Sequence, residues 1–274
     1  MPGKHDSMDN AREITASASS FERNTRPFAA VFLFSVLLGL FRVRILSSPL
    51  RHIVSDMHGY VDRAQQLAAG MPAQPFDIFY PPGTHYFFAL FFLFFSKPLA
   101  LAILAHVQAV LVAGANICFG LAVREFFRSS RAGIGAALGA SLYWPLTGQA
   151  SFFMAELPFM LFSMLGLFLF ARAFNGAQTR LSLFLSGLTL GTATLIKAQG
   201  ICAFAPLPLV LLFLPQARAF RSHLFHLCLG FAIPVLLQLA INSAHLGRAV
   251  FFLSANDAFN LYLGQSRREA VGCF

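Results

Sequence analysis

Long apolar runs separated by short polar patches fill the chain from Phe28 almost to Ala240. Seven of them come close to the ~20 residues that cross a ~30 Å hydrocarbon layer: approximately 27–46, 98–122, 132–150, 154–173, 181–198, 200–215 and 222–241. An eighth run, 83–96, follows Pro81-Pro82 and is intensely apolar but short. That length suits a re-entrant or interfacial segment better than a full span. In the loop before it, residues 57–69 carry the polarity of an amphipathic surface helix, with Asp56 placed to cap its first amides.

The basic loops decide how 83–96 runs. Arg124, Arg128 and Arg131, then Arg172 and Arg180, then Arg218 and Arg221, fall on one side of the bilayer, which the positive-inside bias makes cytoplasmic. The polar N-terminal tail, with Lys4, Arg12, Arg23 and Arg26, shares that side only if 83–96 returns to the side it came from. The expected fold is therefore an all-α polytopic bundle of about seven spans, plus the non-crossing segment and the surface helix. Residues 1–26 form a cytoplasmic tail and 27–241 the transmembrane module, with 47–97 as its outer loop. Residues 242–274 begin an outer-face loop at which the chain looks truncated.

Composition agrees with lipid as the solvent: 57% of the 274 residues are hydrophobic, 11% are charged and 33 are Phe. A net charge of +9 does not call for a nucleic acid, because cytoplasmic loops gather Lys and Arg and no nucleic-acid motif is present. Cys118, Cys202 and Cys228 lie inside apolar runs and read as small packing residues. Gly135 and Gly139 form a GxxxG pair suited to helix packing.

The acids are distributed differently from the bases. Beyond the tail, every acid except Glu125 falls on the face opposite the basic loops: Asp56, Asp62, Asp77, Glu156, Asp257 and Glu269. Asp56 is either a helix cap or a general base. Glu156 lies at the lip of an apolar helix, where an ionisable group is costly and marks either a snorkelling side chain or a functional one. Lys197 sits at headgroup depth on the acid-rich face, against the positive-inside bias, and a phosphate partner would account for it. Arg42 and Arg44, at the outer end of the first run, either snorkel or join Lys197 in holding a lipid phosphate. His58 and His85, with acids nearby, could bind a divalent metal, although two separated histidines more commonly hydrogen-bond or pack. No cofactor is otherwise called for. The segment from Ser254 through Asn256, Asn260 and Tyr262 to Gly264 interleaves amides, hydroxyls and rings in a way that suits sugar hydroxyls or a self-bonded loop.

Taken in order, these segments resemble the GT-C class of membrane glycosyltransferases that use a polyprenyl-phosphate sugar, among them the bacterial aminoarabinose transferases and the protein O-mannosyltransferases. Asp56 with Tyr60, Ala64 and Gly70 is similar to their first-loop Asp motif, and Tyr80-Pro81-Pro82 to the proline step after it. Ala155-Glu156-Leu157 resembles their acidic position, and Gly187 to Gly200 their Gly-rich helix ending in a base. Ser254 to Gly264 resembles an outer-loop signature of bacterial members. Met57 stands where some branches carry a second acid.

The resemblance covers about 28–272 and implies sugar transfer, with inversion, from a polyprenyl-phosphate donor to an acceptor hydroxyl, on the periplasmic face of a bacterial inner membrane. It implies Asp56 as base, with Glu156 beside it, and a donor phosphate held by Lys197, Arg42 and Arg44. His58, Tyr60, Tyr80, His85, Gln199, Asn256, Asn260 and Tyr262 would contact substrate. The acceptor stays open. Two rivals stand beside this reading: a lipid or solute transporter, which would place ionisable groups near the midplane, and a non-catalytic assembly subunit.

Overall fold

A computed structural model describes residues 26–71, 79–175, 178–214 and 221–254 of the chain. Among them there are helices and no strand. The expected all-α bundle is the observed one. Its elements are α1 (Arg26–Leu46), α2 (Asp56–Ala68), α3 (Gly83–Phe94), α4 (Lys97–Phe127), α5 (Ser130–Leu142), α6 (Trp144–Gly148), α7 (Glu156–Phe174), α8 (Thr179–Ile196), α9 (Gly200–Phe204), α10 (Pro206–Phe213) and α11 (Leu224–Leu246).

Five helices are long and apolar enough to cross a membrane: α1, α4, α7, α8 and α11 with its preceding turn. Two of the expected spans are instead broken. The run 132–150 stops at Tyr143 and restarts as α6, with Pro145 in its first turn. The run 200–215 is interrupted at Ala205 between α9 and α10, where Pro206 begins the second piece. Proline lacks the N–H that would continue the ladder, and its ring crowds the preceding turn. A hydropathy average passes over such breaks because the flanking residues are equally apolar.

Side-chain contacts fix the chain directions. The Arg124 guanidinium lies 5.6 Å from the Phe28 ring, and Asn116 donates to Ser35 Oγ at 3.1 Å, so α4 runs antiparallel to α1. Asn175 donates to Glu125, which brings the end of α7 to the end of α4. This is the basic end of the bundle, with Arg128, Arg131, Arg172 and Arg180 exposed around it. Glu156 and Lys197, at the start of α7 and just past α8, meet at the other end. Helix α3 begins there, against Leu195 and Ile196. It finishes three residues before α4, whose first residue, Lys97, reaches Asp62 of α2 at 3.4 Å. Both ends of α3 therefore lie at the end of the bundle remote from the basic loops, as the distribution of arginines predicted.

Helix α2 is less superficial than its polarity suggests. Met57, Tyr60, Val61 and Ala64, spaced i, i+3, i+4, i+7, are buried in one core with Phe88 and Ala89 of α3, Leu104 and Ala105 of α4, and Phe153 and Leu157. The apolar face of α2 is thus spent on the bundle, which anchors the polar residues beside it.

Close helix packing uses other glycines than the expected pair. A Cβ on Gly187 or Gly191 would run into the α11 backbone, and one on Gly230 into α8. Gly120 and Gly133 allow α4 and α5 to touch. A Cβ on Gly135 or Gly139 would meet nothing within 4 Å, so that GxxxG pair packs against no helix among the described residues.

Candidate active site

Asp56 is the first residue of α2, preceded by Ser55 at φ 50° and ψ −131°. A left-handed φ is unusual for a residue with a Cβ and is held only where the surroundings demand it. The expected capping role is not what the side chain performs, since no side-chain cap bond forms at this N-terminus. Instead the Tyr80 hydroxyl donates to Asp56 Oδ1 at 3.0 Å. The carboxylate still lies in the first turn, where the helix dipole favours negative charge, and its residue is exposed.

Tyr80 is delivered by the proline step. After Pro81 and Pro82 the chain enters α3 at Gly83, where a Cβ would lie 2.8 Å from the Ile196 nitrogen. Glycine lets this turn press against the end of α8, which joins the Asp56 region to Lys197. Tyr60, one helical turn after Asp56, packs its ring 5.0 Å from Tyr80 and 5.3 Å from His85. Burial raises the Tyr60 phenol, and the negative charges of Glu156 and Asp56 add to the effect. One phenol thus lies in the field of both carboxylates. Burial, with the Asp56 hydrogen bond, pushes Tyr80 up to about 12, so it remains a neutral donor. His85 is buried and is lowered to about 4 by desolvation and by Arg63, which leaves a neutral imidazole with Nε2 unpartnered.

Glu156, in the first turn of α7, accepts from Lys197 Nζ at 2.8 Å. Both side chains are about 30% exposed (26% and 31%), so the pair is reachable from outside the fold. Glu156 Oε2 has no protein partner. Lys197 itself is extended, after which a tight turn places Gly200 against Thr194 and starts α9. The pairing was not foreseen from the sequence. Its signal was there: opposite charges at the start of one helix and the end of the next, which an antiparallel hairpin brings to the same end.

The other expected residues are more scattered. Arg42 is buried, stacks on the Trp144 ring with its guanidinium carbon 3.1 Å from the centroid, and donates from Nη1 to the Trp144 carbonyl at 3.4 Å. Arg44 donates to His106 at 2.9 Å. Both arginines thus bond away from the Glu156–Lys197 pair, although Gln149–Ser151, which leads toward Glu156, packs on Arg42–Leu46. His58 and Gln199 are exposed at the same end. Asn256, Asn260 and Tyr262 lie outside the described residues, as do Asp77 and Asp257. Among the described residues no group of three His, Cys, Asp or Glu side chains is placed to hold a metal.

No curated protein and no solved structure gives a significant match to this chain. A family model does: that of dolichyl-phosphate-mannose-protein mannosyltransferase matches residues 80–241, more than half of the 274 residues. The match opens on Tyr80 and includes Glu156 and Lys197. With the helical bundle and its five membrane-length helices, it establishes that the chain belongs to the dolichyl-phosphate-mannose-protein mannosyltransferase family, a family of membrane glycosyltransferases.

Proposed function

We propose that this chain passes a sugar from a polyprenyl-phosphate carrier to an acceptor hydroxyl at the Asp56 end of the bundle, with inversion. The observation that carries the reading is that an exposed, Tyr80-bonded carboxylate and the Glu156–Lys197 pair lie at one end of the bundle, joined where Gly83 packs against Ile196. Family membership favours transfer over the transport and assembly readings. The one-sided arginines favour a cytoplasmic basic end, which supports a site on the periplasmic face of a bacterial inner membrane.

In the reaction, the acceptor oxygen attacks the anomeric carbon while the bond from that carbon to the phosphate oxygen breaks. The electron pair leaves on the polyprenyl phosphate, and the acceptor proton passes to Asp56. Tyr80 holds Asp56 in a fixed orientation, which is where a general base gains its effect of about 10²–10⁴. Lys197 faces the charge that develops on the leaving phosphate, an interaction that strengthens toward the transition state. Glu156 keeps Lys197 in place, and its unpartnered Oε2 can accept a hydroxyl of the sugar or acceptor. A lipid-borne donor needs no nucleotide-binding loop.

The test is the stereochemistry of transfer by the purified protein in liposomes supplied with a polyprenyl-phosphate sugar. The reading expects a glycoside of inverted anomeric configuration that depends on added acceptor. Retained configuration, or no transfer to any hydroxyl acceptor, contradicts it.

A further inference from the structure

The last turns of α11 carry two amides that the proposed chemistry does not use. Gln238 and Asn242 are each only 3% exposed, and an amide so placed in a membrane helix is costly unless the protein supplies its hydrogen bonds. Here they are supplied in sequence. Gln238 Nε2 donates to Asn242 Oδ1 at 2.7 Å, which occupies the acceptor of Asn242 and aims its Nδ2 elsewhere. Asn242 Nδ2 donates to the carbonyls of Phe252 and Leu253, at 3.2 and 3.3 Å. Beside it, the Ser243 hydroxyl accepts from the Val250 N–H at 3.1 Å. Residues 250–254 are not helical, so their backbone groups need partners from elsewhere in the protein. The end of α11 provides them, and after Gly247, at φ 62°, the chain comes back along the helix it has just left.

Where it comes back follows from the packing of α11 on α8. Leu227, Gly230, Pro234, Gln238 and Asn242 form one buried stripe. Its first part faces α8: a Cβ on Gly187 would meet Leu227 and Phe231, and one on Gly191 would meet Phe231 and Pro234, so the two helices run in the same direction. Helix α8 ends at Ile196, five residues beyond Gly191 or ~8 Å, whereas Asn242 lies eight residues beyond Pro234, ~12 Å at the helical rise. The stripe outlasts α8, and Asn242 falls at the level of Lys197 and the turn to Gly200. Phe252 and Leu253 cover the stripe there. Ser254, the next residue, is 5% exposed, and its hydroxyl has no partner among the described residues. Like Glu156 Oε2, it is an open valence at the site end.

We infer that Asn242, oriented by Gln238, is a positioning residue for sugar transfer: by pinning Phe252 and Leu253 it sets the Ser254 hydroxyl at the level of Lys197, as a donor to an oxygen of the bound substrate. The role in transfer rests on the proposed function, whereas the clamp itself does not. Asp56 and Lys197 are untouched by loss of the clamp. What is lost is a contact to bound substrate, so the defect falls on KM more than on kcat.

Steady-state transfer from a polyprenyl-phosphate sugar by the purified full chain in liposomes tests this. Asn242→Leu, and Asn242→Asp, which keeps the shape but as a carboxylate cannot donate, should each raise KM about tenfold with kcat within about threefold of wild type. Gln238→Leu leaves the bonds to both carbonyls and should raise KM only about threefold. Ser254→Ala should match Asn242→Leu, and the double variant should add nothing, because the clamp acts through that hydroxyl. Additive losses in the double variant, or a lower Tm with unchanged KM in Asn242→Leu, overturn the inference. If the Asn242 variants do not fold, an unchanged KM in Ser254→Ala overturns it. The clamp is also read without turnover. With the native cysteines replaced by alanine, Ser254→Cys should react with a membrane-impermeant maleimide at least about tenfold faster once Asn242→Leu is added, and equal labelling overturns the clamp. A wild-type protein that transfers no sugar would sink the proposed function, and with it the role in transfer, while the labelling contrast still decides the clamp.

Discussion

The two ends of the bundle are both charged, and they treat their charges in opposite ways. At the basic end Arg124 pairs with Glu125, and Glu125 also accepts from Asn175, so that α4 is tied to α7 and the carboxylate's oxygens are used within the fold. At the other end Asp56 is exposed, Glu156 keeps Oε2 unpartnered, and His85 Nε2, Thr84 Oγ1 and two nitrogens of Arg42 are buried without partners, against His226 Nδ1 alone near the basic end among the described residues. Buried polar groups in proteins are normally satisfied, and the exceptions call for an explanation. A self-satisfied network serves stability. One with open valences is arranged for something that arrives.

The largest effect that would sharpen this contrast is at Lys197. Lys197→Met removes the charge facing the leaving phosphate, and transfer per folded protein is expected to drop about 10²–10³-fold, in the range of losing one transition-state donor. Near-normal turnover with this variant would detach the Glu156–Lys197 pair from the chemistry. Glu156→Gln keeps the shape and frees Lys197. A loss of about tenfold, divided between kcat and KM, is expected in the same transfer assay.

At the basic end the readout reverses. Asn175→Ala leaves a Glu125 oxygen without its donor and should lower stability by about 1–3 kcal/mol, seen as a Tm lower by a few degrees in detergent. Its transfer rate at a permissive temperature should stay within about twofold of wild type.

The smallest effect concerns pH. His85 is lowered to about 4, from an ordinary value of 6.5, so the unfolded chain binds a proton in that interval and the folded one does not. Its contribution to stability is present above about pH 6.5 and is lost as pH falls toward 4. His85→Gln should therefore narrow the Tm difference between pH 7 and pH 5. An unchanged difference would show that the acid sensitivity lies elsewhere.

Much of this architecture was legible in the chain. The amphipathic polarity of 57–69 predicted α2, and the one-sided arginines predicted that both ends of 83–96 lie at one end of the bundle. Hydropathy showed 132–150 and 200–215 as single runs because it is blind to a proline that interrupts the helix. It also could not rank glycines: Gly135-x-x-x-Gly139 has the familiar spacing, but Gly187 and Gly191 lie where two helix backbones meet. The site residues were grouped on one face, but their individual hydrogen-bond partners were not legible. Tyr80 lies 24 residues from Asp56, Lys197 41 from Glu156, and Trp144 102 from Arg42, separations that only the packed helices close. Asp56 in particular read either as a helix cap or as a general base, since a carboxylate at a helix start is commonly a cap. Its hydrogen bond to Tyr80 is a tertiary fact.

The central claim, that chemistry belongs to the end with open valences, is tested most directly by one paired measurement. Sugar transfer from a polyprenyl-phosphate donor is compared in liposomes for Asp56→Asn and Glu125→Gln, each normalised to folded protein. The account predicts a loss of at least about 10²-fold for Asp56→Asn, the lower bound for a general base, with Glu125→Gln within about twofold of wild type. Comparable turnover in both, or a larger loss in Glu125→Gln, would contradict it.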